Sequence, residues 1–348
     1  MNAPDLVAGV LIVAVAAYAV LAGADLGGGF WDLTAGGARR GARVRGLIKR
    51  SMSPVWEANH VWLIFVLVIF WTGFPRAFGA VMSTLYVPLF LAAVGIILRG
   101  TAFAVRGEAA TIGEARALGA TFALSSVLVP FFFGATVGAI ASGQVPAPPG
   151  GGDPIDSWTN LTSIYIGILA VATGAYLAAV YLAADAIRAE LPDLVRAFRT
   201  RALGAGVVAG GLAIGGIFVV REDAPALYDG LTSGGGLAAV IVSVVAGLVT
   251  IGLLVRGSYS TARWSSAVAV GAVIGGMAVA QHPDFLPGVM TVDQAAASDA
   301  TLVPLLGCVV IAAIVLVPAL TLLYRLTLRG TLDTEFRPIV AADPKEGQ

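Results

Sequence analysis

Charge is scarce in this chain. Of its 348 residues only 12% are Asp, Glu, Lys or Arg, while 58% are hydrophobic; a soluble domain normally carries about twice that charged fraction. Histidine is scarcer, with only His60 and His282, and cysteine is reduced to Cys308. A lone cysteine excludes an intrachain disulfide. Two histidines that fall near opposite faces of a membrane exclude a histidine pair gripping one haem across a helix bundle. The sequence has no C-x-x-C-H attachment site, no Walker loop, no dinucleotide fingerprint and no metal-ligand cluster. It has no low-complexity tail, and its basic residues are spread through short loops, so nothing supports nucleic-acid binding. The N-terminus lacks the charged n-region and cleavage site of a signal peptide, so the first hydrophobic segment is expected to be retained.

What the chain does have is long apolar runs. A window of about 20 residues gives nine candidate spans, at 6–34, 53–73, 79–105, 116–142, 160–187, 203–220, 236–256, 264–281 and 302–328. Stretches rich in Pro and Gly or in charge separate them, including "PAPPGGGDP" (146–154) and "EDAPALYDGLTSGGG" (222–236). Neither is long enough to be a domain. The expected fold class is therefore an all-α integral membrane protein, a single transmembrane domain over 1–348.

Loop charge orients it. Of the 21 Lys and Arg, all but Arg76 and Arg221 fall in or beside the odd-numbered loops and the C-terminal tail, six of them in "ARRGARVRGLIKR" (38–50). The opposite loops hold most of the loop acids, among them Asp153, Asp156, Glu222, Asp223, Asp284 and Asp293. The positive-inside rule puts the N-terminus outside and the C-terminus in the cytoplasm, which requires an odd number of spans. Glycines four apart, Gly206 and Gly210, Gly211 and Gly215, Gly271 and Gly275, are candidates for close helix approach.

The informative residues are polar ones at membrane depth. "SPVWEANHVWLIF" (53–65) opens a span yet carries Glu57, Asn59 and His60. Asp25 lies twenty residues beyond Asp5, about 30 Å along a helix, and so in the cytoplasmic half of the first span. Arg99, in "ILRGTAFAVR" (97–106), falls near the cytoplasmic end of the third. Asp25, Glu57, His60 and Arg99 thus come from three consecutive spans at similar height. Ionisable groups in hydrocarbon cost at least ~2.5–3.5 kcal/mol and usually face the protein interior or a water path. Acids and an imidazole can exchange protons, so the group fits a proton-uptake route; it equally fits a structural ion pair tying the three helices. Glu57 and His60 share a helix face and Asn59 points elsewhere. Trp56 and Trp62 read as packing or interface aromatics. Asp185 is expected to be solvated at the end of the fifth span, and His282 to be interfacial.

Three stretches resemble subunit II of the cytochrome bd-type quinol oxidases. "AGADLGGGFWDL" is similar to that family's first-helix Gly-x-Asp-Leu-Gly-x-Gly element, and "SPVWEANHVWL" to its second-helix Gly-Pro-Val-Trp-Asp-Gly-Asn-Glu-Val-Trp-Leu. "LYVPLFLAAVGIILRGTAFAVR" (85–106) resembles its third helix. The resemblance covers the first third of the chain; beyond it only the topology matches. It implies a partner, the haem-bearing subunit I with haem b and haem d, and a complex in the bacterial cytoplasmic membrane that oxidises quinol and reduces dioxygen to water. No cofactor is implied for this chain alone, and a small single-helix accessory subunit is a further possible partner beside the membrane lipid. Residue by residue, Asp25 matches the first-helix aspartate, Glu57 the aspartate of Trp-Asp and Arg99 the arginine near that acid, which implies a contribution to a proton path. Trp56, Asn59 and Trp62 match motif positions. Departures stand at Glu57, one methylene longer than the family's Asp, at His60 in place of Glu, and at Ser53 in place of Gly. The alternative reading is a standalone secondary transporter with the same acids as its ion-coupling site, which often shows inverted repeats and matched broken helices.

Overall fold

The computed structural model describes residues 2–52, 56–105, 109, 111–148 and 151–328, and only the backbone at 38, 39, 56–58, 112, 324, 327 and 328. In order the helices are α1 (Ala3–Leu33), α2 (Ala38–Met52), α3 (Trp56–Gly73), α4 (Pro75–Thr84), α5 (Tyr86–Val105), α6 (Ile112–Ala141), α7 (Asp156–Thr159), α8 (Leu161–Arg188), α9 (Pro192–Asp223), α10 (Pro225–Leu231), α11 (Gly234–Val255), α12 (Tyr259–Gln281), α13 (Val292–Ala295) and α14 (Asp299–Leu328). A small antiparallel hairpin, β1 (Asp284–Leu286) with β2 (Met290–Thr291), precedes α13. Local chemistry starts these helices. Asn2 accepts from Asp5 N at 3.0 Å ahead of α1, Thr111 and Glu114 form a capping box on α6, and Asn160 accepts from Ser163 N at 2.9 Å ahead of α8. Each satisfies an N–H that the first helical turn leaves without a partner.

Eight helices among the described residues are long and apolar enough to cross a membrane: α1, α5, α6, α8, α9, α11, α12 and α14. The second sequence span becomes α3, which reaches that standard only together with α4, bent from it by 116°. The sequence reading ran the third span from 79; instead 75–84 forms the separate helix α4, and the span starts at Tyr86. Pro75 explains the break. It has no N–H for the ladder of α3 and is suited to a first helical turn, while Phe74, fully buried, pins the corner. Two further stretches expected as loops are helical. The basic stretch 38–50 lies in the helix α2, whose Val44, Leu47, Ile48 and Met52 are buried on one face. Helix α9 begins eleven residues before the expected 203, because a hydropathy window detects hydrocarbon and not helix.

Helix α8 is the centre of the bundle and α14 its periphery: 56% of the most apolar window of α8 is buried, against 6% for α14. α8 packs on α1, α6 and α9, and α1 also contacts α3, α6 and α12. Helices α1 and α8 approach each other closely. A Cβ at Gly27 would fall 1.9 Å from the Gly174 carbonyl oxygen, so only glycine permits it. The glycines singled out by spacing do something else: Gly210, Gly211, Gly271 and Gly275 have open space at the Cβ position, and Gly206 and Gly215 meet tyrosine rings. A second buried cluster joins the start of α1 to α4 and the hairpin through Val7, Phe74, Leu85 and Leu286.

Candidate functional site

The first-helix motif builds the floor of the site. Tyr18, Asp25 and Asp32 stand seven apart on α1 and so share a face. Gly27, Gly28 and Gly29 beside them are buried and let α8, Met52 and Ser126 come close. Arg99 of α5 reaches into this face. Its Nη2 donates to Asp25 Oδ1 at 2.8 Å and to the Asp25 carbonyl at 3.2 Å, and its Nε donates to Ser126 Oγ at 2.8 Å. Ser126 in turn donates to the Phe122 carbonyl at 2.7 Å, and the guanidinium lies 4.9 Å from the centre of the Phe122 ring. Both charged side chains are only 3% exposed. This is a buried pair with its hydrogen bonds in place, the condition under which such a pair is retained.

A cavity of about 10 Å³ adjoins the pair, lined by Tyr18, Asp25, Asn59, His60 and Arg99 with apolar Ala22, Leu26 and Ile96. That is the size of a single water molecule, and the wall offers the several polar partners a buried water needs. Asn59 is 2% exposed; its Nδ2 reaches the Leu21 carbonyl at 3.5 Å, while its Oδ1 is buried without a hydrogen-bond partner among the described residues. His60 is half-buried and borders the same cavity. Trp62 packs edge-on to Phe65, and its buried Nε1 has no hydrogen-bond partner among the described residues. Of the residues singled out in the sequence, Asp25, Arg99, Asn59 and His60 come together and Trp62 lies one turn along α3. The side chains of Trp56 and Glu57 lie outside the described ones, although both residues stand in the first turn of α3.

Three participants escaped the sequence reading. Tyr18 and Asp32 carried a signal, their spacing of seven from Asp25; Ser126 carried none, since a serine pair in an apolar run is common in membrane helices. Asp32 is 4% exposed and accepts from Arg45 Nε at 2.6 Å, and Arg45 Nη2 also donates to the Gly36 carbonyl at 2.6 Å. This pair clasps α2 to the end of α1. Asp185 corrects an expectation: it is not solvated but 11% exposed, holding ion pairs with Arg188 and Arg263, and Arg263 also donates to the Tyr181 carbonyl at 2.8 Å. The helix turns around it bring α12 against α8, which no local pattern announces. His282 is 58% exposed and lies 3.4 Å from Asp5 Oδ1. One histidine thus stands beside the start of α1 and the other beside the Tyr18–Leu26 stretch, about 20–30 Å further along by helix rise, and they do not face each other.

The chain matches the family model described as cytochrome bd terminal oxidase subunit II over residues 3–327. It is 26% identical over 237 residues to a putative cytochrome bd menaquinol oxidase subunit II of Bacillus subtilis, covering 66% of this chain and 67% of the relative. It is 24% identical over 133 residues to cytochrome bd ubiquinol oxidase subunit 2 of the same organism, covering 37% of each. Its fold is that of a chain in the bd oxidase of Geobacillus thermodenitrificans, with a TM-score of 0.74 at 22% identity over 94% of this chain and 99% of that one. The match across nearly the whole length decides between the two readings of the sequence in favour of the oxidase subunit, and this multi-pass membrane chain belongs to the cytochrome bd terminal oxidase subunit II family.

Proposed function

We propose that this chain is the subunit that packs beside the haem-bearing subunit of a quinol:oxygen oxidoreductase and passes protons from the cytoplasm toward the oxygen-reducing centre. The observation that carries the reading is the buried Asp25–Arg99 pair opening on a water-sized cavity with Asn59 and His60. A proton reaching that cavity finds a carboxylate, an imidazole and a phenol within one polar pocket, groups that exchange protons through a bridging water. Arg99 positions the carboxylate and balances its charge. Glu57, on the first turn of α3, is the entry group in this scheme.

Helices α6 and α8 also pack on α1, and in our reading the route onward leads between α3 and α5. Both helices carry exposed apolar side chains, Ile64, Val68 and Trp71 on α3 and Phe90 and Ile97 on α5. The haem-bearing partner covers these faces in our reading. The bent α3–α4 pair serves as one span, giving nine, with the N-terminus outside and the basic helix α2, the arginine-bearing start of α9 and Arg256 and Arg263 in the cytoplasm of a bacterial cell. Haem b and haem d reside in the partner, and quinol is the substrate of the complex; the two Bacillus subtilis relatives bear the names of different quinols, and the choice here belongs to the partner. The test is co-purification. A tagged chain is expected to bring down a haem-bearing membrane subunit with quinol-driven oxygen consumption, and the chain expressed alone to hold no haem. Stoichiometric haem in the partner-free chain, or a complex with no oxygen consumption, overturns the proposal.

A further inference from the structure

A second cavity lies far from this site, in the groove between α11 and α12. Its volume is about 380 Å³, and Ile241, Val242, Val245, Val249 and Val268 form its wall with no polar atom exposed. Ala246 and Ser265 complete the lining, and the hydroxyls of Ser265 and Thr250 bond to each other and to the Ala246 carbonyl, which satisfies them within the helix pair. Val242, Val245 and Val249 follow one stripe of α11, and seven residues further on that stripe stands Arg256 at the helix end. Gly252 between them leaves open space at its Cβ position. Arg199 of α9 arrives at the same end, its Nη2 donating to the Val255 carbonyl at 2.9 Å and its buried Nε without a partner among the described residues. Neither arginine has an ion-pair partner among the described residues. Trp264, 77% exposed, stands one turn before Val268 at that end of α12.

An apolar trough, an amphipathic ring at its mouth and two uncompensated guanidiniums beyond it follow the order of groups in a phospholipid. We infer that this groove seats an anionic phospholipid of the leaflet at the arginine-rich end, one acyl chain along Val242, Val245 and Val249 and the phosphate at Arg256 and Arg199. Tryptophan suits the level of the headgroup boundary, and arginine near an anionic headgroup is the recurring device for holding it. The site is independent of the proton route and of the partner's identity.

The test uses the purified oxidase complex in nanodiscs of phosphatidylcholine containing phosphatidylglycerol, with bound lipid counted by native mass spectrometry. One phosphatidylglycerol per complex is expected to survive detergent release. Arg256→Gln and Arg199→Gln are each expected to weaken retention about fivefold, the effect of one basic residue near an anionic lipid. Val245→Trp, which fills the trough and leaves both arginines, is expected to abolish retention, with haem content and oxygen consumption unchanged in all three. Equal retention of phosphatidylcholine, or undiminished retention in either class of variant, overturns the inference. So does recovery of an isoprenoid quinone in place of the phospholipid, or full displacement of the lipid by inorganic phosphate, which would mean the trough contributes nothing.

Discussion

Replacing Arg99 by Met removes the cation and keeps most of the aliphatic volume. The carboxylate of Asp25 then stays at 3% exposure without its 2.8 Å partner, and Ser126 loses the donor at 2.8 Å. Removing one member of a buried pair costs about 3–5 kcal/mol, roughly a hundredfold or more in the folded-to-unfolded ratio; an exposed pair costs at most about 1 kcal/mol. The double variant Arg99→Met with Asp25→Leu removes both charges and is expected to recover about 1–3 kcal/mol of the loss, the coupling usual for residues in contact. The assay is denaturant unfolding of the assembled complex, followed by tryptophan fluorescence, with haem retention as the check on assembly. A single variant as stable as wild type, or a double variant no better than the single one, would refute the account of Asp25 and Arg99 as a mutually dependent buried pair.

Other outcomes follow from the same geometry. Glu57→Gln is expected to assemble with full haem but lose most quinol-driven oxygen consumption, whereas Glu57→Asp, which keeps the acid, retains it; equal turnover of the two variants removes Glu57 from the route. Gly27→Ala forces a methyl to within 1.9 Å of the Gly174 carbonyl oxygen and is expected to cost about 1–3 kcal/mol and to lower the yield of folded chain, while Gly9→Ala, with nothing within 4 Å, changes neither. In the linker before α7, the N–H groups of Asp156 and then Ile155 hold the Asp153 carboxyl below the ordinary value of 3.8. That contribution is present above the ordinary value and lost as pH falls through the lowered one. Amide exchange at Ile155 and Asp156 is therefore expected to speed up only in strong acid, and Asp153→Asn to flatten the dependence.

Much of the site was legible because membranes make polar residues informative. Asp25 and Arg99 are costly in hydrocarbon, so depth alone put them at one height, and the structure shows them bonded. Helix α2 was not legible to a hydropathy window, although its apolar positions 44, 47, 48 and 52 follow helical spacing; six basic residues within 38–50 outweigh them in the average. The burial of Asp185 and the close approach at Gly27 both depend on which distant helix arrives. Such contacts between elements far apart in sequence leave no periodic trace in either partner. The Gly206 to Gly215 run illustrates the converse, a local pattern that fits close packing where no backbone comes near.

The central claim, that this chain relays protons through Asp25, is tested most directly by oxygen consumption per haem in the Asp25→Asn complex. Asparagine keeps the size of the side chain and an acceptor for Arg99 but cannot ionise. The account predicts a complex with normal haem content whose quinol-driven turnover falls by about tenfold or more, the scale on which a lost proton-transfer group is felt. A fully haem-loaded Asp25→Asn complex that consumes oxygen at the wild-type rate would contradict it and leave the Asp25–Arg99 pair as a link between helices.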